Sequence, residues 1–451
     1  MARETRVSMT EGPLLRVIVQ VAVPIVLSNL LAAAYQFVNA FWVGRLGVDA
    51  IAAVAASGPM FGVLLSLGGG LATAGSVLIA QYEGARRAEG VDHIAAQTLL
   101  MVAGVSSAFA LIGELTARPL LAAIGVEPAL AGLTAHYLSI AYIGMVPLFG
   151  FMAISGMLQA VGEVRFAFRV MAGSVLLNAA LDPVFIFVFH WGVAGAAIAT
   201  VTAQLIALGL GLWRILSGAS ALHLKGGHFR PDLKHMRRAL GIGLPASIEQ
   251  ATRTFGSLVL MSIAAQFGAQ ALAVFGMGTR LMYFFFTPIM GLSVAIAAVV
   301  GQNIGAGRMD RAEAAGRLCA WLGFGVLTAI GVLLIPAAPW IMRAMTPGQP
   351  ELARRACTFV YAYAPFMGLM AVSQVLLGVF RGAGSTRQSM TISLVMQWAF
   401  QLPTAWILAF MTPVGVLGVW WSYAVANLAS TLITIAWFKA GPWRRTLVSG
   451  T

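Results

Sequence analysis

The chain has 451 residues, of which 59% are hydrophobic and 10% are charged, and its mean hydropathy is +0.87. This composition lies far outside the range of soluble globular proteins and excludes a water-soluble domain as the bulk of the chain. The formal net charge of +13 would by itself suit a nucleic-acid partner, but the charges follow the pattern of a membrane protein.

Apolar stretches long enough to span a membrane, which takes about 20 residues, recur along the whole sequence. Between Arg387 and Lys439 no charged residue occurs, and this run is too long for one span and is interrupted at Thr412 and Pro413. The sequence therefore predicts an all-α polytopic membrane protein with twelve spans. The predicted segments are 15–43, 51–80, 95–116, 136–160, 168–189, 193–215, 241–265, 271–300, 316–337, 356–379, 389–410 and 414–438.

The basic residues alternate between the two sides of the predicted membrane. Of the 28 Lys and Arg residues, 21 fall in the loops of the side that carries both chain ends, and five fall in the loops of the other side. Only Arg253 and Arg280 lie deep inside predicted spans, because Arg16, Arg169, Arg214 and Arg317 are each one residue inside a span end and are counted with the loops. Because cytoplasmic loops carry an excess of Lys and Arg, we expect a multi-pass protein of the cell (inner or plasma) membrane with both termini in the cytoplasm. We expect no nucleic-acid partner.

The two halves of the sequence repeat. A shift of 221 positions superimposes Pro24 on Pro245, Gly70 on Gly291, Gln81 on Gln302 and Gly84 on Gly305, and a shift of 222 superimposes 156–165 on 378–387. Because each half has an even number of spans, the halves run in the same direction and are related by a pseudo-twofold axis along the membrane normal. We predict an N-terminal six-helix lobe at 1–216, a cytoplasmic linker at 217–240 and a C-terminal six-helix lobe at 241–451.

One polar group stands out in the fifth predicted span, in the stretch LLNAALDPVFIF. Asn178 and Asp182 are four residues apart and share one helix face, and Pro183 leaves the carbonyl of Ala179 without its usual partner. Thr200 follows in the next span. An ionised carboxylate in such apolar surroundings is costly, so we expect Asp182 to bind a proton or a small hard cation. The alternative is a polar patch that only ties helices together by hydrogen bonds.

The second half carries its own intramembrane charges. Glu249 and Arg253 are one helical turn apart in the order that favours pairing, and Arg280 lies in the next span. We expect both arginines to be neutralised by ion pairs, and we keep Glu249 as a candidate for a second proton-binding or substrate-binding carboxylate. The predicted lining of an apolar cavity consists of Met157, Met261, Met277, Met282 and Met290 with Tyr283, Phe284, Phe285 and Phe286.

The linker also contains His223, His228 and His235. Their spacing is not that of a metal-ligand set, and neither a Cys nor an acidic residue of the linker completes one. We therefore expect no metal site here, and no metal elsewhere beyond a sodium ion at the residues around Asp182. We also expect no cofactor other than the coupling ion.

Six motifs in order along the chain resemble the multidrug and toxic compound extrusion (MATE) family. They are AVPIVLSNLL, FWVGRLGVDAIAAVA, LLNAALDPVFIF, IGLPASIEQ, VVGQNIGAGR and VFRGAGSTR. Their form is more similar to the bacterial and archaeal branch related to the DNA-damage-inducible transporter than to the sodium-driven norfloxacin pumps. The resemblance implies two lobes around a V-shaped cavity, and export of organic, often cationic, compounds in exchange for protons or sodium ions.

Carried over from the family, the cation-coupling site falls on Tyr35, Tyr137, Asn178, Asp182 and Thr200, all of which carry side-chain oxygens. The sequence departs from the family where many relatives have an aspartate in the first helix, because this chain has Asn39. An amide ligates a cation but does not release a proton. Coupling would therefore rest on one titrating carboxylate in this lobe.

Four function classes were compared with these features. We expect a secondary active, alternating-access antiporter that acts as a monomer on a small organic substrate of cationic or amphipathic character, surrounded by membrane lipid. A lipid-linked or metabolite flippase would need more basic residues in its cavity than Arg253 and Arg280. An embedded enzyme is disfavoured because no HExxH motif and no buried nucleophile with a His partner occurs. The two-half repeat argues against a channel.

Overall fold

The computed structural model describes residues 6–123, 125–444 and 447, and this part of the chain is helical apart from short turns. Arg3 and Arg445, two of the basic residues counted above, lie outside the described residues. The helices are α1 (Leu14–Gly44), α2 (Val48–Gly84), α3 (Ala88–Ala123), α4 (Pro128–Ile143), α5 (Met145–Ala160), α6 (Val164–Pro183), α7 (Gly192–Leu216), α8 (Leu233–Ala265), α9 (Ala269–Gly305), α10 (Met309–Met345), α11 (Pro350–Tyr363), α12 (Met367–Gly382), α13 (Thr386–Leu394), α14 (Leu402–Phe410) and α15 (Leu417–Ala440).

These helices form twelve crossings, because α4 with α5, α11 with α12, and α13 with α14 each make one. Within the described residues, eleven helical stretches are long and apolar enough to cross a membrane. Helix α8 makes the twelfth crossing. It has 33 residues, hence a length of about 50 Å, and charged residues such as Glu249 and Arg253 make it more polar than the others. The prediction of twelve spans is confirmed.

Prolines coincide with three of the interruptions inside crossings. Pro147 follows the break between α4 and α5, Pro365 lies in the 3₁₀ turn Ala364–Phe366 between α11 and α12, and Pro403 follows the wide π-type turn Val395–Gln401 between α13 and α14. Pro288, by contrast, lies inside α9, which continues through it without a break. A proline thus marks a change of helix geometry in some spans but not in all.

The sequence repeat reappears as reciprocal contacts between the two halves. The Gln81 amide donates to the Gly382 carbonyl at 3.1 Å, and the Gln302 amide donates to the Ala160 carbonyl at 2.7 Å. Loop glycines with positive φ also recur, at Gly47 and Gly268 and again at Gly162 and Gly384. These pairs are related by the same shifts of 221 and 222 positions that relate the sequences. The predicted pseudo-twofold arrangement is therefore confirmed.

The halves touch mainly at one end of the bundle, which we call the linker face because the linker between α7 and α8 lies there. The opposite end is called the far face. Within the described part of the chain, the outermost hydrogen bond between the halves joins Ser66 of α2 to Thr254 of α8 at 3.4 Å, near the middle of both helices. All other hydrogen bonds between the halves of the described chain lie nearer the linker face. Examples are Ser247 to Leu67, Asn303 to Met9, Arg308 to Thr10 and Arg238 to Tyr82. The bundle is therefore closed at the linker face.

The linker is anchored to the first half by a buried carboxylate. Glu163, whose side chain is 3% exposed, accepts from Arg214 at 3.1 Å, from the Ser220 hydroxyl at 2.8 Å and from the Ala221 amide at 2.7 Å. Helix α8 begins at Leu233, before the predicted span, because Asp232 caps it by accepting from the backbone amides of residues 234 and 235. The linker is thus a structured connection rather than a free tether.

Candidate functional site

Asp182 lies at the centre of the predicted site, near the C-terminal end of α6. Its side chain is 0% exposed, and no described residue donates a hydrogen bond to either carboxylate oxygen. Directly after Pro183 the helix widens into a π-type turn over Val184–Val188. Gly195 of α7 lies against the carbonyl of Phe185 and has no room for a Cβ, so α7 packs closely on this turn. The acid is therefore enclosed by protein and has no charged partner among the residues that the structure describes.

A short hydrogen-bond chain beside Asp182 joins three helices. The Tyr35 hydroxyl of α1 lies 2.6 Å from the Thr200 hydroxyl of α7, and the Asn178 amide of α6 donates to the same oxygen at 3.3 Å. Thr200 uses its own hydrogen to donate to the Ala196 carbonyl at 3.0 Å. A hydroxyl has one hydrogen and two lone pairs, so Tyr35 is the donor in its contact with Thr200.

Four acceptor oxygens of the predicted site receive no hydrogen bond from the described residues. The side-chain oxygens of Asn39 and Asn178 and both oxygens of Asp182 are buried and accept no hydrogen bond within the described residues. Asn39 lies one turn from Tyr35 on the same face of α1. An unsatisfied buried acceptor costs about 1–3 kcal/mol, and a proton or a small cation that binds oxygen atoms would satisfy several acceptors together.

Tyr137 of α4 lies at the edge of the same region. Its ring packs against a small apolar cluster that includes Ile186, one turn after Asp182, and Ala196, one turn before Thr200. Tyr137 therefore lies beside the helical turns that carry Asp182 and Thr200. The structure thus joins Tyr35, Asn178 and Thr200 in one hydrogen-bond chain next to Asp182 and places Tyr137 at its edge, while Asn39 follows Tyr35 by one turn of α1. The role of these six residues in coupling stays a prediction.

The intramembrane charges of the second half differ in whether they form ion pairs. Arg253 donates to Glu249 at 2.6 Å within α8, and the Glu249 side chain is 4% exposed. Arg280 is an exposed residue of α9, and no carboxylate of the described chain pairs with it. The prediction that Arg280 is neutralised by an ion pair is therefore wrong. Helical spacing identifies an i, i+4 partner such as Glu249, but α9 offers Arg280 no acid at that spacing.

The predicted lining of the cavity is also corrected in part. Met157 is 0% exposed and packs in the core of the first half, so it lines no cavity. On the far half of the second lobe, Met261, Tyr283 and Phe284 are exposed. These three side chains are of the soft and aromatic type that suits organic cations.

Two groups at the linker face were missed by reasoning from the sequence. The first is Glu163, described above as the anchor of the linker. The second consists of His93, Asp232 and His235, whose ligand atoms all lie within 4.8 Å of one another. The expectation that no acid completes a histidine set here is therefore wrong. Asp232 carries the signal of a helix cap before α8, but His93 is 139 residues away from it and no local pattern links the two.

Comparison with known proteins supports the family suggested by the motifs. A family model described as MatE matches residues 24–184 and 245–407. "Probable multidrug resistance protein YpnP" of Bacillus subtilis (strain 168) is 28% identical over 440 residues, which cover 96% of this chain and 97% of the relative. "Probable multidrug resistance protein NorM" of Bradyrhizobium diazoefficiens is 27% identical, with 93% of this chain and 92% of the relative covered.

Solved structures give the same fold. A crystal structure of MATE in complex with MaL6 matches with a TM-score of 0.92 at 22% identity and covers 96% of this chain and 97% of that one. A MOP superfamily transporter from Pyrococcus furiosus also matches with a TM-score of 0.92 at 22% identity, with coverages of 98% and 99%. Since the family model matches both halves over most of their length, this chain belongs to the MATE family, whose members are transporters and not enzymes.

Proposed function

We propose that this protein is an exporter of small organic molecules driven by the inward flow of a proton or a sodium ion that binds at Asp182. The observation that carries the proposal is a buried carboxylate with no hydrogen-bond donor among the described residues. An isolated ionised carboxylate in a membrane is too costly to persist, so the site favours uptake of a positive ion. The unpartnered oxygens of Asn39 and Asn178 would help to hold it.

The arrangement of the halves supports an alternating-access antiporter. We propose that residues 1–216 and 241–451 move as two lobes joined by the linker at 217–240. The lobes meet between the linker face and the level of Ser66 and Thr254, and the excess of basic residues in the loops on that side supports a cytoplasmic linker face. This arrangement corresponds to a cavity open to the outside. In that state the substrate would leave and the coupling ion would enter.

The substrate class follows from the same cavity. Met261, Tyr283 and Phe284 are exposed on the far half of the second lobe and would contact an amphipathic organic cation through apolar and cation–π interactions. The names of the YpnP and NorM relatives refer to multidrug resistance, which supports a small organic substrate. A flippase for anionic lipid-linked substrates is less well supported, since Arg253 is already paired with Glu249. We propose a monomer in the cell membrane.

The proposal is tested with purified protein in proteoliposomes, with a fluorescent organic cation as the substrate and with proton and sodium gradients imposed separately. We expect one of the two gradients to drive transport by the wild type, and we expect Asp182→Asn to abolish it because an amide cannot exchange a proton and ligates sodium weakly. Asp49→Asn is the matched control, since Asp49 is an exposed acid of the same lobe. Full gradient-driven transport by Asp182→Asn would refute the role of Asp182.

A further inference from the structure

Three side chains with metal-binding atoms converge where the two halves are joined. The Oδ2 atom of Asp232 lies 2.7 Å from Nδ1 of His235 and 3.3 Å from Nε2 of His93. The two imidazole rings lie 4.8 Å apart at 77°. Each of the three side chains is about one-quarter to one-third exposed, so an ion could reach the group from solvent without passing through the membrane.

The geometry of the group is close to that of a zinc site. With metal–ligand bonds of about 2.0 Å, two ligand atoms of a tetrahedral zinc ion lie roughly 3.3 Å apart. The three ligand atoms here already lie within 4.8 Å of one another, so small side-chain rotations would bring them to that spacing. Two imidazole nitrogens with one carboxylate oxygen favour zinc and its neighbours in the transition series over magnesium and calcium, which prefer oxygen ligands.

The carboxylate is prepared for this role by its own contacts. Oδ1 of Asp232 accepts from the backbone amides of Lys234 and His235 at 2.9 and 3.2 Å, which fixes the side chain and leaves Oδ2 directed at the histidines. A ligand carboxylate whose other oxygen is held by hydrogen bonds is typical of metal sites.

We propose that His93, Asp232 and His235 bind one divalent transition-metal ion of the zinc class, with water in the remaining position. His93 belongs to α3 of the first half, whereas Asp232 and His235 lie near the end of the linker, where α8 begins and leads into the second half. The ion therefore ties the two halves together at the linker face. This site is separate from the residues around Asp182, and the inference does not depend on the proposed transport function.

The site is tested on full-length protein purified with a tag that contains no histidine and titrated with Zn²⁺ alone. We expect one ion per chain. His93→Ala and His235→Ala should each weaken zinc binding at least about tenfold, because loss of a ligand costs no less than loss of a supporting residue. Asp232→Asn should do the same while α8 stays capped, because Asn caps a helix as well as Asp does. His136→Ala and His223→Ala are the matched controls, since both histidines are exposed.

A gain of signal tests the site without loss of a ligand. His235→Cys keeps a ligand at this position, so Co²⁺ should then show a sulfur-to-cobalt charge-transfer band that the wild type lacks. Zinc should also slow hydrogen exchange around residues 88–97 and 225–240 in the wild type but not in His93→Ala. Binding of less than one zinc ion per chain by the wild type, or binding by the His93, Asp232 and His235 variants that equals the wild type, would overturn the proposal, as would absence of the band.

Discussion

The buried ion pair of α8 allows a direct test of how a buried pair of charges affects the free energy of unfolding. Arg253 donates to Glu249 at 2.6 Å, the two side chains are 23% and 4% exposed, and the second oxygen of Glu249 has no partner in the described chain. Arg253→Met would leave the carboxylate buried with no partner at all. Removal of one member of a buried pair costs about 3–5 kcal/mol, so we expect the free energy of unfolding to fall by that amount.

The double variant Glu249→Met and Arg253→Met separates the charge from the packing. Replacement of a buried pair by apolar side chains of similar size is often neutral or stabilising, so we expect the double variant to be more stable than Arg253→Met and to lie within about 1 kcal/mol of the wild type or above it. Arg355→Met is the matched control, because Arg355 forms the same i, i+4 contact with Glu351 at an exposed position and should cost at most about 1 kcal/mol.

The free energies are obtained from unfolding in mixed micelles with increasing SDS, followed by tryptophan fluorescence. A cost below about 1 kcal/mol for Arg253→Met, or a double variant as unstable as the single one, would refute this account of the pair. Transport by the double variant then decides whether Glu249 acts as a second carboxylate. Wild-type transport would show that the pair is structural, whereas loss of transport in a stable double variant would place Glu249 in the mechanism.

Two further predictions concern coupling and closure. Asn39→Asp adds a second titrating group one helical turn from Tyr35 and should shift the pH profile of transport, whereas Asn39→Gln should leave that profile in place. An unchanged profile in Asn39→Asp would contradict the prediction. Gly84→Ala should widen the spin-label distance across the linker face, because a Cβ at Gly84 would overlap with the Gln302 carbonyl. Gly104→Ala is the control, since a Cβ at Gly104 meets open space and should leave the distance unchanged. Equal distances in both variants would contradict this prediction.

Much of the fold could be predicted from the sequence because membrane spans obey strong and simple constraints. Every backbone polar group inside the bilayer needs an internal partner, so long apolar stretches are helices. The repeat then placed Gln81 and Gln302 in equivalent positions, and the structure shows them making equivalent contacts across the two halves. Asn178 and Asp182 were found because polar residues are rare in such surroundings.

The features that could not be predicted depend on contacts between residues that are distant in the sequence. No local sequence pattern links His93 to Asp232, because their contact depends on how the linker folds back over the first turns of α3. The partner of Glu163 is equally hidden, since Arg214 and Ser220 come from the end of α7 and from the linker. We expected Arg280 to be paired because a charge in a membrane is costly. That cost does not indicate whether the side chain faces another helix or an open space.

A single acid can couple an ion gradient to transport when its occupancy changes contacts that reach the other lobe. Helix α1 contacts both the site and the other lobe. Its outer part joins the site through the contact of Tyr35 with Thr200, and its inner part packs Val26 against Gly291 of α9, which has no room for a Cβ. Pro24 lies in this inner part. A proton or cation at Asp182 would compete for the acceptors around Tyr35, and any tilt of α1 that follows would be felt directly at α9.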